Sequence, residues 1–315
     1  MSQTFDVLTF GETMVLFAPS ERGSLESAAL FHASIGGAES NCAIGLARLG
    51  HSVCWISRLG RDPFGDRVIK TIRGEGVDVS RIERCNSAPT GLMFKEPGPG
   101  NTSRVFYYRR NSAAATLSAE PFDSLKAKYL FVTGITPALS DSNRELTMKL
   151  VDQFRASGTK IAFDPNMRYK LWSADQARPV FRELAKKSDL LIPSLTEAEI
   201  LTGHNKPEAM LDELLKMGPS QVVIKAGEQG AWYADKRDRG FCPCFPAIEI
   251  DPVGAGDAFC AGLLSGLLEK ASLADAVSRG AALGASCVSA FGDYAGLPDR
   301  PQLEAFMENR AVQGR

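Results

Sequence analysis

The densest chemistry in the chain lies in Asp251-Pro252-Val253-Gly254-Ala255-Gly256-Asp257-Ala258-Phe259. Two glycines let a backbone turn tightly and come close to a ligand. Apolar residues then recur at Phe259, Leu263 and Leu267, so the segment leads into the N-terminus of a helix. Free amide N–H groups and the helix dipole make such a terminus an anion site. Asp257 falls in the first turn, with its carboxylate directed at the same space. Phosphoryl transfer to an alcohol needs amides that offset phosphoryl charge and a carboxylate that accepts the hydroxyl proton. An aspartate in a first turn can also be no more than a helix cap, so the loop alone leaves both roles open.

A second element is Val222-Val223-Ile224-Lys225-Ala226-Gly227-Glu228-Gln229-Gly230-Ala231, a buried strand that delivers Lys225 to a loop with glycines at 227 and 230. Lys225 there suits nucleotide phosphates or ribose, and would equally suit an exposed position. No G-x-x-x-x-G-K-[ST] is present, which excludes a P-loop, and no G-x-G-x-x-G follows the first strand, which argues against a dinucleotide fold. His32, His51 and His204 have no metal-ligand spacing with the cysteines.

The elements that must position these residues alternate. Core strands are predicted at 6–10, 52–56, 129–132, 160–163, 190–192, 222–224 and 231–234. Helices are predicted at 39–49, 64–75, 142–156, 174–186, 196–201, 207–217, 257–269 and 273–290, and Ser173 with Gln176 fits a capping box. Such alternation implies a mostly parallel sheet flanked by helices on both faces. The strands run into Gly11-Glu12, Thr133-Gly134, Asp164-Pro165-Asn166, Pro193-Ser194 and Lys225-Ala226-Gly227. Open α/β sheets bind ligands at such carboxyl ends.

Two segments break the rhythm. In 91–110, Leu92-Met93-Phe94-Lys95 and Arg104-Val105-Phe106-Tyr107-Tyr108 flank Pro97-Gly98-Pro99-Gly100-Asn101, a hairpin signal. With 13–34 it is expected to form a small, discontinuous β-sheet lid, with Tyr108 in the lid's own packing. The α/β core for nucleotide and substrate would then comprise 1–12, 35–90 and 111–315.

Composition bounds the partners. A net charge of −1 supplies no field for nucleic acid or an anionic membrane, and there is no apolar run of the roughly 18 residues that a membrane span needs. The N-terminus lacks the pattern of a secretory signal. Seven cysteines, mostly within apolar segments, read as reduced core residues, and Cys242-Pro243-Cys244 suits neither a zinc knuckle nor a redox pair. A cytoplasmic location is expected. Exposed lid edges would suit a homo-oligomer, a dimer or higher.

The chain resembles the ribokinase-like, pfkB-type carbohydrate kinases over essentially its whole length. The 251–257 segment matches that family's D-T-x-G-A-G-D loop, with Pro252 where Thr is usual. Gly36-Gly37-Ala38-Glu39-Ser40-Asn41 matches its N-terminal Gly-Gly…Asn signature. The resemblance implies ATP and Mg²⁺, Asp257 as base, and the amides of Gly254, Ala255 and Gly256 as the anion hole. It places Asn166, Arg168, Ser194, Lys225, Gly227, Gly230, Gly254 and Gly256 at the nucleotide, and Glu197 at Mg²⁺ through water. Ser194 stands where the family's N-x-x-E motif has Asn. Within the family the similarity is greatest to kinases of 2-keto-3-deoxygluconate, carried by 104–109, 112–115, 134–140 and 164–172. It puts Gly36, Gly37, Asn41, Tyr107, Arg109, Arg168, Asp257 and Asp293 at the sugar acid. A guanidinium fork suits that substrate's carboxylate, which a neutral ribose or fructose lacks. A kinase of a neutral sugar, a nucleoside kinase and a non-catalytic sugar-binding regulator are the alternatives.

Overall fold

The computed structural model describes residues 4–21, 23–98 and 102–313. Its main sheet has eight strands, in the order Arg239–Pro243, Gly230–Asp235, Gln221–Lys225, Leu190–Leu191, Lys160–Asp164, Lys126–Thr133, Thr4–Phe10, Val53–Ile56. From Gln221–Lys225 onward all neighbours are parallel, and the first two strands join antiparallel. All seven expected strands are present, within a few residues at their ends. The added edge strand Arg239–Pro243 was not foreseen, because Pro243 interrupts its pattern and a proline is tolerated only at such an edge.

Strands buried on both faces need helices on both sides. One face packs Val7, Trp55 and Phe131 against helices Ala38–Arg48, Ala255–Leu268 and Leu273–Cys287. The other packs Leu8, Leu130 and Phe163 against Asp141–Ala156, Ala174–Lys187 and Pro207–Met217. Each fully buried large side chain contributes about 1.5–3 kcal/mol, so these layers fix the strand ends firmly. The expected Ser173–Gln176 capping box is formed. The last helix, Arg300–Gln313, was not anticipated, and the helix expected over 273–290 stops at Cys287.

A separate four-stranded sheet, in the order Phe31–Gly36, Met14–Pro19, Leu92–Pro97, Ser103–Tyr108, joins residues 14–36 with 92–108. The hairpin pairs Leu92 with Tyr108 through Pro97 with Ser103; residues 99–101 of the expected turn lie outside the described residues. Strand alternation gives this sheet two faces. Met14, Leu16, Met93 and Val105 cluster on one. On the other, Phe94 stacks on Phe17 and meets Phe31 and Tyr108 edge to face. Tyr108 touches Phe94 but is 67% exposed, so it is not the packed residue that was expected. All seven cysteines are free; Cys42, Cys54, Cys85, Cys260 and Cys287 are buried. Among the described residues, no helix is long and apolar enough to cross a membrane.

Candidate active site

The helix bearing Asp257 starts at Ala255, with Gly254 as its N-cap at φ +84° and no side chain capping its first amides. A Cβ at Gly254 would lie 2.0 Å from the Asp293 carbonyl oxygen, so both the left-handed turn and the close approach demand glycine. No side chain caps the first turn; the Ala255 N–H donates to the Pro252 carbonyl at 3.4 Å, and an uncapped helix start of this kind can take an anion. Asp257 is buried in that turn. Asn41 Nδ2 donates to its Oδ2 at 2.8 Å and Asn166 Nδ2 to its Oδ1 at 3.2 Å.

Each donor arrives from a different element. Gly37 caps the helix that starts at Ala38, which puts Asn41 in the opening turns. Asn166 follows strand Lys160–Asp164 with φ +41°, its N–H donating to Asp164 Oδ1 at 3.1 Å. Asparagine tolerates this conformation better than most residues. The sequence assigned Asn41 to substrate and Asn166 to nucleotide; the structure brings both onto one carboxylate.

Asp164 also accepts Lys225 Nζ at 2.5 Å and the Cys260 thiol at 3.3 Å. Burial works to lower the Lys225 pKa, but the adjacent Asp164 carboxylate outweighs it and holds the ammonium above its ordinary range. A Cβ at Gly256 would stand 3.8 Å from that ammonium, so Lys225 borders the anion loop. Beyond it, Gly227 and Gly230 both have positive φ, and a Cβ at Gly230 would meet the Cys242 carbonyl at 2.0 Å. Ser194 and Glu197 form a capping box; Glu197 Oε2 accepts the Ser194 N–H at 2.7 Å and Oε1 the Met167 N–H at 2.6 Å. Ser194 in place of Asn thus serves as a helix cap.

Two buried carboxyls adjoin Asp257. Burial chiefly raises Asp293 to about 7; the Asp257 charge adds to this and Lys95 opposes it. Its Oδ2 fills the space that a Cβ at Gly36 would take, at 2.3 Å. Its Oδ1 has no hydrogen-bond partner. Glu39, which the sequence left as a spacer in the Gly-Gly…Asn motif, is likewise raised to about 7, first by burial, against a hydrogen bond from Thr133. Nothing in the local pattern marks a glutamate in the first turn of a helix as buried.

Two cavities open beneath the small sheet's Met14-Leu16-Met93-Val105 face. One, of about 1400 Å³, is lined by Tyr107, Arg109, Arg110, Arg168, Lys170 and neighbours. The other, of about 740 Å³, is lined by Ser34, Lys95, Asp251, Asp293 and neighbours. Arg168 is exposed. Arg109 is 10% exposed and its Nη2 pairs with Glu12 Oε2 at 2.5 Å, while Ser112 donates to Oε1 of the same carboxylate at 2.5 Å. The Arg109 guanidinium lies 5.6 Å from the Tyr107 ring centre, and the Lys170 ammonium 5.3 Å from it. The sequence offered Arg109 as a ligand for the substrate carboxylate or as a solvated strand residue, and it did not foresee the pairing with Glu12, whose only signal was its place at the end of the first strand. Arg109 Nε is buried and has no partner. Among the described residues, no cluster of three or more His, Cys, Asp or Glu is arranged to hold a metal ion.

A mostly parallel sheet flanked by helices, an uncapped helix start with an aspartate in its first turn, and cavities under a small separate sheet define a ribokinase-like architecture. The family model for pfkB carbohydrate kinases matches residues 4–300. The chain belongs to the pfkB family of carbohydrate kinases. It is 43% identical to the 2-dehydro-3-deoxygluconokinase of Bacillus subtilis strain 168, over 96% of this chain and 95% of that protein. It is 34% identical to a 2-dehydro-3-deoxygalactonokinase of Haloferax volcanii, over 93% of each. A putative ribokinase II from E. coli, solved in complex with ATP and Mg²⁺, superposes with a TM-score of 0.88 at 26% identity, covering 97% of this chain and 99% of its own.

Proposed function

We propose that this kinase transfers the γ-phosphoryl group of ATP to the terminal hydroxyl of 2-keto-3-deoxygluconate, giving 2-keto-3-deoxy-6-phosphogluconate and ADP. The observation that carries the reading is the Asp257 carboxylate, set in an uncapped helix start and held by Asn41 and Asn166. Asp257 takes the hydroxyl proton as the oxygen attacks phosphorus. The amides of Gly254, Ala255, Gly256 and Asp257 offset charge on the transferring group, and Lys225 steadies the phosphates. Gly227 and Gly230 let the backbone lie close to the nucleotide. Mg²⁺, when bound, neutralises the β- and γ-phosphates. Glu197 fits an outer role toward it, because each oxygen accepts one amide and keeps a lone pair for a metal-bound water.

Charge orients the substrate. Asp251, Asp257 and Asp293 surround the phosphoryl end, which repels a carboxylate. Arg109, Arg110, Arg168 and Lys170 line the other cavity, which attracts one. Glu12 fixes the Arg109 fork while its Nε remains open to an acceptor. Tyr107 lies over this end, and Gly36 and Gly37 bring the backbone to the hydroxyls. Residues 13–34 and 91–110 act as a lid on a core of 1–12, 35–90 and 111–315. Leu30, Phe31, Phe106 and Tyr108 are exposed aromatic or aliphatic side chains of this lid region, and self-association through it is part of the reading. A cytoplasmic setting suits the buried free thiols.

The Glu12–Arg109 pair favours one competing reading, a neutral-sugar kinase in which Arg109 is only structural. ADP release with 2-keto-3-deoxygluconate, its galactonate counterpart, fructose, ribose and adenosine decides between them. Preference for a keto acid supports the proposal, and preference for fructose or ribose removes it. Asp257→Asn should lower kcat by several orders of magnitude with ATP binding retained; near-normal turnover rules out the assigned base.

A further inference from the structure

Lys95 sits on lid strand Leu92–Pro97, and its ammonium reaches Asp251 Oδ2 at 2.5 Å. Both side chains are nearly covered, 14% and 6% exposed. Asp251 opens the segment that carries the anion loop. Its Oδ1 accepts the Val253 N–H at 3.2 Å, within that segment, and its Oδ2 accepts the Gly292 N–H at 3.2 Å, from the loop that bears Asp293. Its own N–H is anchored on the Val288 carbonyl at 3.1 Å. The two loops are in contact where Gly254 meets the Asp293 carbonyl. One carboxylate therefore joins three pieces: the lid, the phosphoryl loop and the loop of a second site carboxyl.

A buried ion pair is a poor device for stability alone, since apolar residues of equal volume often do as well. Its strength is geometric, because neither charge tolerates losing the other. Removing the ammonium leaves Asp251 buried near Asp293 with two amides and no cation. We infer that Lys95 is a positioning residue that acts through Asp251, setting the 251–257 segment in its working place when the lid is seated on the cleft. This rests on the reading of Gly254–Asp257 as the phosphoryl site. Lys95 touches neither the anion-loop amides nor Asp257, so its effect falls on the transfer step and not on ATP affinity.

The test uses the full-length enzyme and the variants Lys95→Met, Lys95→Arg, Asp251→Asn and the Lys95→Met/Asp251→Asn double. Steady-state kinetics and thermal melts are recorded on each. Displacing the loop by even an ångström is expected to lower kcat about 10–100-fold in Lys95→Met, with KM for ATP unchanged. Lys95→Arg should restore most of the loss, and the double variant should be no slower than the slower single, because the two residues act as one unit. Wild-type kcat in Lys95→Met overturns the inference, as does a loss confined to KM for the sugar acid. So do single-variant losses that multiply in the double. Should Lys95→Met fail to fold, Lys95→Arg and Asp251→Asn carry the comparison; turnover unchanged in Asp251→Asn is then the refuting result. Asp257→Asn is assayed alongside. If it retains turnover, the phosphoryl-site reading itself fails; if it is inert while Lys95→Met is normal, only the present inference fails.

Discussion

Replacing Glu39 by Gln should make the protein more stable in alkali and leave it unchanged in mild acid. Glu39 is fully buried; its Oε1 accepts the Thr133 and Thr136 hydroxyls at 2.6 and 2.9 Å, and its Oε2 has no partner. Burial is the main cause that lifts its pKa from 4.5 to about 7; the Thr133 hydrogen bond works against this and the Asp257 charge adds to it. The folded pKa lies above the unfolded one, so between them the folded state binds more protons. The associated stability is complete below pH 4.5 and is lost as pH rises through about 7. At about 1.4 kcal/mol per pKa unit, the loss is on the order of 3 kcal/mol. A glutamine is neutral throughout. Its oxygen can accept both threonine hydroxyls, and its NH₂ stands where Oε2 already lacks a partner. Urea unfolding at pH about 5 should therefore find variant and parent within about 1 kcal/mol, and at pH about 8.5 should find the variant more stable by roughly 3 kcal/mol. Asp6 and Asp62 have lowered pKa values, so their contributions vanish only in stronger acid and do not enter this window. Asp293 titrates in it with the same sign but is present in both proteins. An equal difference at the two pH values, or a variant weaker at pH about 8.5, refutes the argument that Glu39 is held neutral by burial.

Gly254→Ala should cost about 1–2 kcal/mol for the left-handed backbone alone, and more for the clash with the Asp293 carbonyl. The moved loop should lower kcat by at least about 10²-fold, read in the ADP-release assay with a melt as control. Arg168→Ala is the clean test of carboxylate binding, because Arg168 is exposed. It should raise KM for the keto acid with little change in melting temperature, and an unchanged KM removes Arg168 from the site. Arg109→Ala is expected to do both, since it leaves Glu12 buried without its cation, at a cost of about 3–5 kcal/mol in urea unfolding. A fully stable Arg109→Ala would show that Glu12 does not depend on it.

What could be foreseen from the sequence, and what could not, divides along a physical line. Strand and helix periods depend on neighbours in the chain, and so the alternation, the Ser173 cap and the paired strands of the small sheet's hairpin were legible within a few residues. Gly254 was also legible as a site of close approach and Gly36 as part of a family signature, although what approaches them was not: Asp293 meets both, one with its carbonyl and the other with its carboxylate. Asn41 and Asp257 stand 216 residues apart, and they could be associated only because each belongs to a motif. Glu12–Arg109, Lys95–Asp251 and the Asn166–Asp257 bond carry no such mark. Two of these pairs join the small sheet to the main sheet and its helices: Glu12 follows strand Thr4–Phe10 and Arg109 follows Ser103–Tyr108, while Lys95 lies on Leu92–Pro97 and Asp251 precedes helix Ala255–Leu268. How the two sheets and the helices pack is decided by the whole chain, which no local window reports. Burial of charge is hidden for the same reason. Glu39 reads as a polar residue of a helix start, yet that helix begins at the carboxyl edge of the sheet, where Thr133 and Thr136 close over it. The groups hardest to see in the sequence are thus the ones that tune the site: polar residues carried inward by the ends of strands, where the packing that buries them also sets their charge.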